Sequence, residues 1–265
     1  MLLAINVENR KISVALFEDS NAEPVSCFKI SADISRTDDE YTVTVKQLLD
    51  YSGIDAGDID GAIMASVVPQ LNDVIKSVVI NLTGKAPVVV GPGVKTGFAI
   101  KIDDPAELGA DIVANAAAVA ATLKEERSDR PAVILDMGAA TTLFAINKNR
   151  EVIGGAILAG VGMSLDMLHE KTALLPSIEM SGVSRAIGRN TKESLISGVI
   201  LGQAAMIDGL IDRFESELGC ERGEATVFAT GEGADLILSD LNHSFRYDSS
   251  LTLKGLAMIY KNTVK

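Results

Sequence analysis

The stretch that most constrains this chain is AVILDMGAATTLFAI, residues 132–146. An apolar run leads into Asp136, a turn of small residues follows, and the Thr141-Thr142 pair begins a second apolar run. This order predicts two strands joined by a short turn. Small residues leave the backbone N–H groups of such a turn uncovered, and uncovered N–H groups can hold a phosphate. An ordinary β-hairpin explains the pattern equally well, because glycine-rich turns are common.

The chain opens with the same pattern. Residues 2–18 place the polar Asn6 after one apolar run and continue, after a short turn, into another. Two such units, with Asn6 and Asp136 at matching positions, indicate a duplicated α/β chain with a cleft between its halves. The charged run KEERSDRP, residues 124–131, is the best boundary between them. We therefore expect an N-terminal domain at 1–124 and a C-terminal domain at 125–265.

Charge and hydropathy limit the possible partners. The net charge is −12, and no Lys/Arg-rich run occurs in the sequence, which disfavours binding to nucleic acid or to an anionic membrane. The first residues lack the basic and apolar regions of a signal peptide. The most apolar helical run, residues 195–211, is interrupted by Gln203 and Asp208. We expect no membrane span, because about 18 consecutive apolar residues are needed.

Metal-ligating residues are few. The chain has two cysteines and two histidines: Cys27, Cys220, His169 and His243. Their spacing matches no zinc motif, so no zinc site is predicted from the sequence. The cysteine content is that of a protein from a reducing cytoplasm, although a pairing of the two thiols stays open.

A long helix is predicted at 191–218. Asn190 precedes it and Glu193 follows three residues later, which is the spacing of a capping box. Its apolar stripe is wide enough for a core helix and also for a subunit contact. The sequence leaves both possibilities open.

Three small-residue turns at strand ends indicate where a nucleotide could bind. They lie at 6–10, 136–141 and 230–233. Turns of this kind hold anionic oxygens, and a nearby carboxylate can position a metal ion. Asp111, after Gly109 at the start of a helix, is a candidate base for a phosphotransferase. A helix N-terminal acid favoured by the macrodipole is the alternative for Asp111, and no Walker loop occurs.

Several blocks, in order, resemble the type III pantothenate kinase family over nearly the whole chain. They are NVENR (6–10), GPGVKTG with DDPAELGAD (91–111), DMGAATT (136–142), GGAILAGVGMSLDML (154–168) and AIGRNTKESLISGVILG (186–202). The resemblance implies a duplicated actin-like, ribonuclease H-like α/β fold with two mixed-sheet domains. It also implies a cytoplasmic homodimer that phosphorylates pantothenate to 4′-phosphopantothenate with ATP and Mg²⁺, the first step of coenzyme A biosynthesis. In that family K⁺ or NH₄⁺ assists nucleotide binding.

The resemblance also assigns roles to individual residues. Asp111 becomes the general base, Asp136 the ligand of the monovalent cation, and Thr191 a second substrate contact. The loop expected to bind pantothenate consists of Gly109, Ala110, Asp111 and Ile112. The expected ATP contacts are Asn6, Val7, Glu8, Asn9, Arg10, Lys11, Ile12, Ser13 and Ala139.

Some of these positions depart from the family pattern. The first hairpin usually reads D-V-G-N-T, so Asn6 replaces an acid and Glu8 replaces a glycine. Ile112 replaces an arginine expected to hold the carboxylate of pantothenate. Further replacements are Arg10 for threonine, Ala139 for threonine and Glu232 for glycine. A catalytically impaired paralogue that serves as a regulatory or ligand-binding module is therefore the alternative, and a kinase for an acceptor without a carboxylate is a third hypothesis.

Overall fold

The structure is a computed structural model that describes residues 1–18, 22–183 and 185–264. The chain forms two compact units. The first comprises Met1–Ala99, Asp103–Glu126 and Ser250–Lys265, and the second comprises Ile100–Ile102 and Arg127–Ser249. Each unit has its own sheet and its own hydrophobic core.

The first unit is built on a five-stranded mixed sheet. Its strands are β1 (Leu2–Val7), β2 (Lys11–Phe17), β3 (Ser26–Ser31), β4 (Gly61–Ser66) and β5 (Val88–Val89). Their order is β3-β2-β1-β4-β5. The first three strands form an antiparallel meander, and β4 and β5 run parallel to β1. β1 is buried along its whole length, as the apolar run of the sequence predicts.

Helices cover the first sheet. They are α1 (Asp38–Tyr51), α2 (Asn72–Thr83), α3 (Ala110–Glu125) and α7 (Leu251–Thr263). α1 and α2 pack against the side chains of Leu3, Ile5 and Val7. Neighbouring strand residues point to opposite faces. Asn6 therefore points away from α1 and α2, to the side where α7 contacts β1 and α3 contacts β4.

The C-terminal helix corrects the predicted division of the chain. α7 belongs to the first unit, whereas the division at 124/125 placed it in the second half. It packs along α3, and the hydroxyl of Thr252 donates a hydrogen bond to Asn115 Oδ1 at 2.7 Å. The helices approach closely at Gly255, where a Cβ would lie 1.8 Å from the carbonyl oxygen of Ala114. The small side chains of α3 thus allow α7 to pack closely against it.

The second unit is built on a six-stranded mixed sheet. Its strands are β6 (Ala99–Ile100), β7 (Ala132–Met137), β8 (Ala140–Ile146), β9 (Glu151–Ala159), β10 (Thr226–Thr230) and β11 (Phe245–Tyr247). Their order is β11-β10-β7-β8-β9-β6. β7, β8 and β9 form an antiparallel meander, and β10 and β11 run parallel to β7 and β10 respectively. The hairpin predicted at 132–146 is confirmed.

The two sheets repeat one topology. The series β3-β2-β1-β4-β5 corresponds, strand for strand, to β9-β8-β7-β10-β11. In both, an antiparallel meander continues into two parallel strands beside its first strand. This repetition confirms the duplication, and the α/β fold class with two mixed sheets is the one predicted.

The α-helices of the second unit, within the described residues, are α4 (Val161–Glu170), α5 (Thr191–Leu218) and α6 (Ala234–Ile237). α5 is long and apolar enough to cross a membrane by length and composition, but half of its most apolar window is buried in the protein. It packs against Val133, Leu135 and Met137 of β7, so it is a core helix.

The predicted capping box of α5 is only half formed. Asn190 accepts a hydrogen bond from the Glu193 backbone N–H at 2.9 Å. The Glu193 carboxylate accepts one from the Arg189 N–H at 2.9 Å, one residue earlier than the motif requires. Both side chains still satisfy backbone donors at the helix start, because the chain folds back tightly before Asn190.

Candidate active site

Asp111 lies in the first turn of α3, where its carboxylate is half-buried. Its Oδ1 accepts a hydrogen bond from the Ile112 backbone N–H at 2.8 Å. Burial raises the pKa of the Asp111 carboxyl above its ordinary value, and the backbone N–H groups of Ile112 and of Asp111 itself oppose that rise. A carboxylate whose desolvation favours proton uptake is suited to act as a base.

Gly109 leaves the space that the carboxylate occupies. A Cβ at this position would lie 2.6 Å from Asp111 Oδ1 and 3.5 Å from the Cδ1 of Ile112. Gly109 is the N-cap of α3, and its φ of −56° is open to any residue. The absence of a side chain at Gly109 therefore serves the position of the neighbouring carboxylate rather than the backbone conformation. Gly109 precedes α3, and Ala110, Asp111 and Ile112 form its first turn.

The first hairpin closes tightly between β1 and β2. The Glu8 N–H donates to the Lys11 carbonyl at 2.8 Å, and Lys11 Nζ lies 3.2 Å from Glu8 Oε2. Asn9 and Arg10 form the exposed turn. The acid at position 8 thus has an ammonium partner in the same hairpin, which offsets its charge.

Two expected ATP contacts in this hairpin point into the core. The side chains of Val7 and Ile12 are 0% and 1% exposed and pack in the first hydrophobic cluster. Their side chains therefore cannot touch ATP, and only their backbone remains available. Asn6 and Ser13 face each other across the strands and are also buried. Within the described residues, Asn6 Oδ1 has no hydrogen-bond partner.

The second hairpin turn is held by the end of β9. The Gly160 N–H donates to the Ala139 carbonyl at 3.1 Å. A Cβ at Gly160 would lie 2.4 Å from the Ala139 oxygen and 2.5 Å from the Gly138 oxygen. No side chain larger than hydrogen can occupy position 160 unless the turn moves. Gly160 therefore fixes the backbone of the Gly138-Ala139 turn.

The third turn packs against the second. The Gly233 N–H donates to the Met137 carbonyl at 2.8 Å, and Gly231, with φ of +99°, lies directly against the Met137 backbone. Asp136 stands between Thr142 and Thr230 on neighbouring strands, on the face of β7 opposite the α5 core. The predicted turns at 136–141 and 230–233 thus form one cluster around the end of β7.

Thr191 is the exposed first residue of α5. The segment before it folds onto the helix, where Ser197 Oγ donates to the Ala186 carbonyl at 2.6 Å. The side chain of Thr191 is open to solvent in the described part of the chain. Asp111 and the first hairpin belong to the first unit, whereas Thr191, Asp136 and Ala139 belong to the second.

Sequence reasoning missed one buried residue near the second turn. Gln203 is 1% exposed, and its Nε2 donates to the Ala159 carbonyl at 2.8 Å, at the end of β9. It also lies within 3.3 Å of Ser164 Oγ. The sequence shows Gln203 only as an interruption of an apolar helix. A lone amide in an apolar stripe is the signal that could have identified it, because a buried amide needs partners.

Solved structures with related folds are kinases and other proteins. The chain superimposes on a polyphosphate/ATP-glucomannokinase from Arthrobacter sp. strain KM with a TM-score of 0.50 at 10% identity, covering 99% of this chain and 98% of that one. A Baf family transcriptional activator from Campylobacter jejuni gives 0.59 at 17% identity, with 98% and 97% covered. At these identities the likeness concerns the fold alone. It agrees with the actin-like class of fold.

The sequence itself is more informative. The family described as type III pantothenate kinase matches residues 2–213. A type III pantothenate kinase from Moorella thermoacetica is 38% identical over 262 residues, which cover 98% of this chain and 99% of that protein. One from Exiguobacterium sp. is also 38% identical, over the full length of both chains. The chain therefore belongs to the type III pantothenate kinase family.

Proposed function

We propose that this chain transfers the γ-phosphate of ATP to the 4′-hydroxyl of pantothenate, the first step of coenzyme A biosynthesis. The observation that carries the proposal is the half-buried Asp111 at the start of α3. The family resemblance assigns the loop that holds it to the substrate. Four relatives at 35–38% identity, matched over nearly their full lengths, carry the name of this kinase. They favour activity over the non-catalytic alternative.

In this proposal Asp111 takes the proton of the attacking hydroxyl. Its carboxylate is oriented by the hydrogen bond from the Ile112 N–H and occupies the space that Gly109 leaves. Preorganisation of this kind contributes to catalysis because the base need not reorient in the transition state. Gly109 to Ile112 form the pantothenate loop, and the exposed Thr191 supplies a second contact.

The two hairpins would bind ATP. Asn9 and Arg10 present backbone and a guanidinium at the exposed first turn, and Ala139 presents backbone at the second. Asn6 Oδ1, buried and without a hydrogen-bond partner within the described residues, fits a ligand that supplies a donor or a metal-bound water. When bound, Mg²⁺ would neutralise phosphate charge. The other ATP contacts proposed for this hairpin are the side chains of Glu8, Lys11 and Ser13 and the backbone of Val7 and Ile12.

Asp136 would hold the monovalent cation, K⁺ or NH₄⁺. Thr142 and Thr230 are paired with Asp136 on the two neighbouring strands, so the three oxygen-bearing side chains share one face of the sheet. Oxygen ligands suit a hard cation. We also propose that the protein is a cytoplasmic homodimer, which is the organisation that the family resemblance implies.

A pantothenate-dependent assay of ADP release tests the proposal. Purified protein with ATP, Mg²⁺ and K⁺ should release ADP only when pantothenate is added. The Asp111→Asn variant should lose this activity by about 10²- to 10⁴-fold, the range for a general base. Equal turnover in the variant, or ADP release that ignores pantothenate, contradicts the proposal.

The same assay identifies the acceptor. Because Ile112 stands where the family has arginine, a panel of hydroxyl compounds with and without a carboxylate should be compared. A kcat/KM highest for pantothenate supports the proposed substrate. A higher value for an acceptor without a carboxylate replaces it. Tight ATP binding by calorimetry, with no turnover on any acceptor, supports the impaired paralogue.

A further inference from the structure

A buried histidine and three carboxylates meet at the C-terminal half of α5. Asp208, Asp212 and Glu215 lie on one face of the helix, at the four- and three-residue spacing of neighbouring turns. His243, from the loop before β11, packs against all three. This cluster lies wholly in the second unit. None of its members has a role in the kinase reaction proposed above.

The imidazole is oriented by Asp208. His243 Nδ1 lies 2.8 Å from Asp208 Oδ1, and that carboxylate also accepts the Asn242 N–H at 3.0 Å and its side-chain amide at 2.8 Å. Because a carboxylate can only accept, Nδ1 carries the proton and donates it in a hydrogen bond to Asp208 Oδ1. In the neutral ring, the lone pair of Nε2 is then directed into the space between Asp212 and Glu215. This is the carboxylate–histidine arrangement that orients metal-ligating histidines.

Nε2 is buried without a hydrogen-bond partner among the described residues. The His243 side chain is only 5% exposed. Asp212 Oδ1 lies 3.1 Å from Nε2, and Glu215 Oε2 lies 3.7 Å away, yet neither oxygen is aligned for a hydrogen bond from this nitrogen. In the neutral ring, an Nε2 lone pair that faces two carboxylate oxygens is unfavourable unless a cation lies between them.

The spacing fits a tetrahedral metal ion. Ligand atoms about 2.0–2.1 Å from a tetrahedral Zn²⁺ lie roughly 3.3 Å from one another. The two measured separations from Nε2 bracket that value. The three ligand atoms all lie within 4.8 Å of one another. One imidazole with two carboxylates favours zinc or a similar transition-metal ion over Mg²⁺ or Ca²⁺, which prefer oxygen alone.

The two carboxylate ligands have different surroundings. Glu215 is 1% exposed and accepts the Gly223 and Ala225 N–H groups at 2.9 Å each, one on each carboxylate oxygen. Asp212 is partly exposed and pairs with Arg222, whose Nε lies 2.8 Å from Oδ1. The Arg222 side chain is 70% exposed, so it can turn into solvent and leave that oxygen to an ion.

We propose that Asp212, Glu215 and His243 bind one divalent transition-metal ion, with Zn²⁺ as the best match, and that Asp208 positions the histidine. The ion would join α5 to the loops that precede β10 and β11. These loops lie at the end of the sheet where β10 begins, whereas the Asp136 turn lies at the opposite end, where the parallel strand β7 stops. The five residues of β10 separate these two ends of the sheet by about 16 Å. The ion is therefore structural, and this inference does not depend on the proposed kinase activity.

Zinc titration of the full-length, EDTA-treated and dialysed protein without nucleotide tests the proposal. Calorimetry should show one Zn²⁺ per chain, and Zn²⁺ should raise the melting temperature. Co²⁺ in the same site should give the strong visible absorption of a tetrahedral centre. His243→Gln should abolish this binding, and Asp212→Asn should weaken it by at least about tenfold.

Two further variants separate loss of zinc binding from loss of folding. Asp212 is partly exposed, so Asp212→Asn should fold normally even if His243→Gln does not. Arg222→Gln removes the cation that competes for Asp212, so it should bind Zn²⁺ as tightly as the wild type or more tightly. No binding to wild type, or the same isotherm for wild type and Asp212→Asn, overturns the proposal. The cluster is then a buried polar contact that packs α5 against the loop before β11.

Discussion

Asp111 Oδ1 accepts the Ile112 backbone N–H at 2.8 Å, in a turn where burial works against the negative charge of the carboxylate. Burial is the larger effect, so the pKa of this carboxyl is raised. A base works only when deprotonated, so kcat/KM should fall on the acid side at a pH above the ordinary aspartate value of about 3.9. A pH profile measures this limb, and a limb at or below the ordinary value contradicts the assignment.

The same shift predicts how Asp111 affects stability. A pKa that is higher in the folded than in the unfolded state favours folding below the unfolded pKa, and that contribution is lost as pH rises through the folded pKa. At neutral pH the buried charge is therefore a cost, and Asp111→Asn should melt no lower than wild type. The stability advantage of Asp111→Asn over wild type should shrink as the pH falls towards the raised pKa. Denaturation at several pH values would show a pH-independent difference if this account is wrong.

Gly109→Ala should separate catalysis from stability. The new methyl would lie 2.6 Å from Asp111 Oδ1, and the carboxylate can move away at little cost because it is the end of a flexible side chain. Displacing a base by about 1 Å can cost about 10²-fold in rate. We expect kcat to fall by about 10- to 100-fold with a small change in melting temperature.

Gly209→Ala is the matched control for that variant. Gly209 lies inside α5. Among the described residues, no neighbouring atom would lie within 4 Å of a Cβ at this position. Alanine there should leave kcat unchanged and stabilise the helix by about 0.5–1 kcal/mol. Unchanged kcat in Gly109→Ala would show that the Asp111 orientation is not needed.

Gly160 and Gly138 should respond differently to alanine. A methyl at Gly160 would press on the Ala139 and Gly138 carbonyls, so Gly160→Ala should cost about 1–3 kcal/mol of stability and raise the KM for ATP. At Gly138 the nearest atoms are at 3.5 Å, an ordinary contact. Gly138→Ala should therefore unfold like wild type, within about 0.5 kcal/mol, yet also raise the KM for ATP if this turn holds a phosphate. Urea denaturation and initial rates decide both points.

Thr252→Val tests the place of α7 in the first unit. The change removes the hydroxyl that donates to the buried Asn115 at 2.7 Å and keeps the shape of the side chain. Loss of that donor should cost about 1–3 kcal/mol. Thr263→Val is the control, because the Thr263 hydroxyl donates to the Ile259 carbonyl of its own helix at 2.9 Å. Equal effects of the two changes would contradict a specific contact between α3 and α7.

Local patterns predicted the parts of the fold that local forces determine. The hairpin at 132–146 follows from two apolar runs and a turn that cannot continue either strand. The start of α3 follows from Gly109 and Asp111. The position of α7 could not be predicted in this way. Its apolar face shows that it is buried, but not which sheet or helix covers it.

The candidate site shows the same division. Asp111, Asp136 and the small-residue turns are visible in the sequence as short motifs. The core positions of Val7 and Ile12 are not, because which face of a strand is buried depends on how the strands pair and what covers them. The cluster around His243 depends on a contact with Glu215 across 28 positions of the chain. No zinc site was predicted from the sequence, because metal motifs are recognised by short spacings.

The most direct test of the central claim is identification of the phosphorylated product. Pantothenate, Mg²⁺, K⁺ and ATP labelled in its γ-phosphate are incubated with wild type and with Asp111→Asn, and the products are separated and weighed by mass spectrometry. The account predicts labelled 4′-phosphopantothenate from wild type and at least about 10²-fold less from the variant. Label that remains in ATP, appears only as inorganic phosphate, or reaches pantothenate equally in both proteins would contradict it.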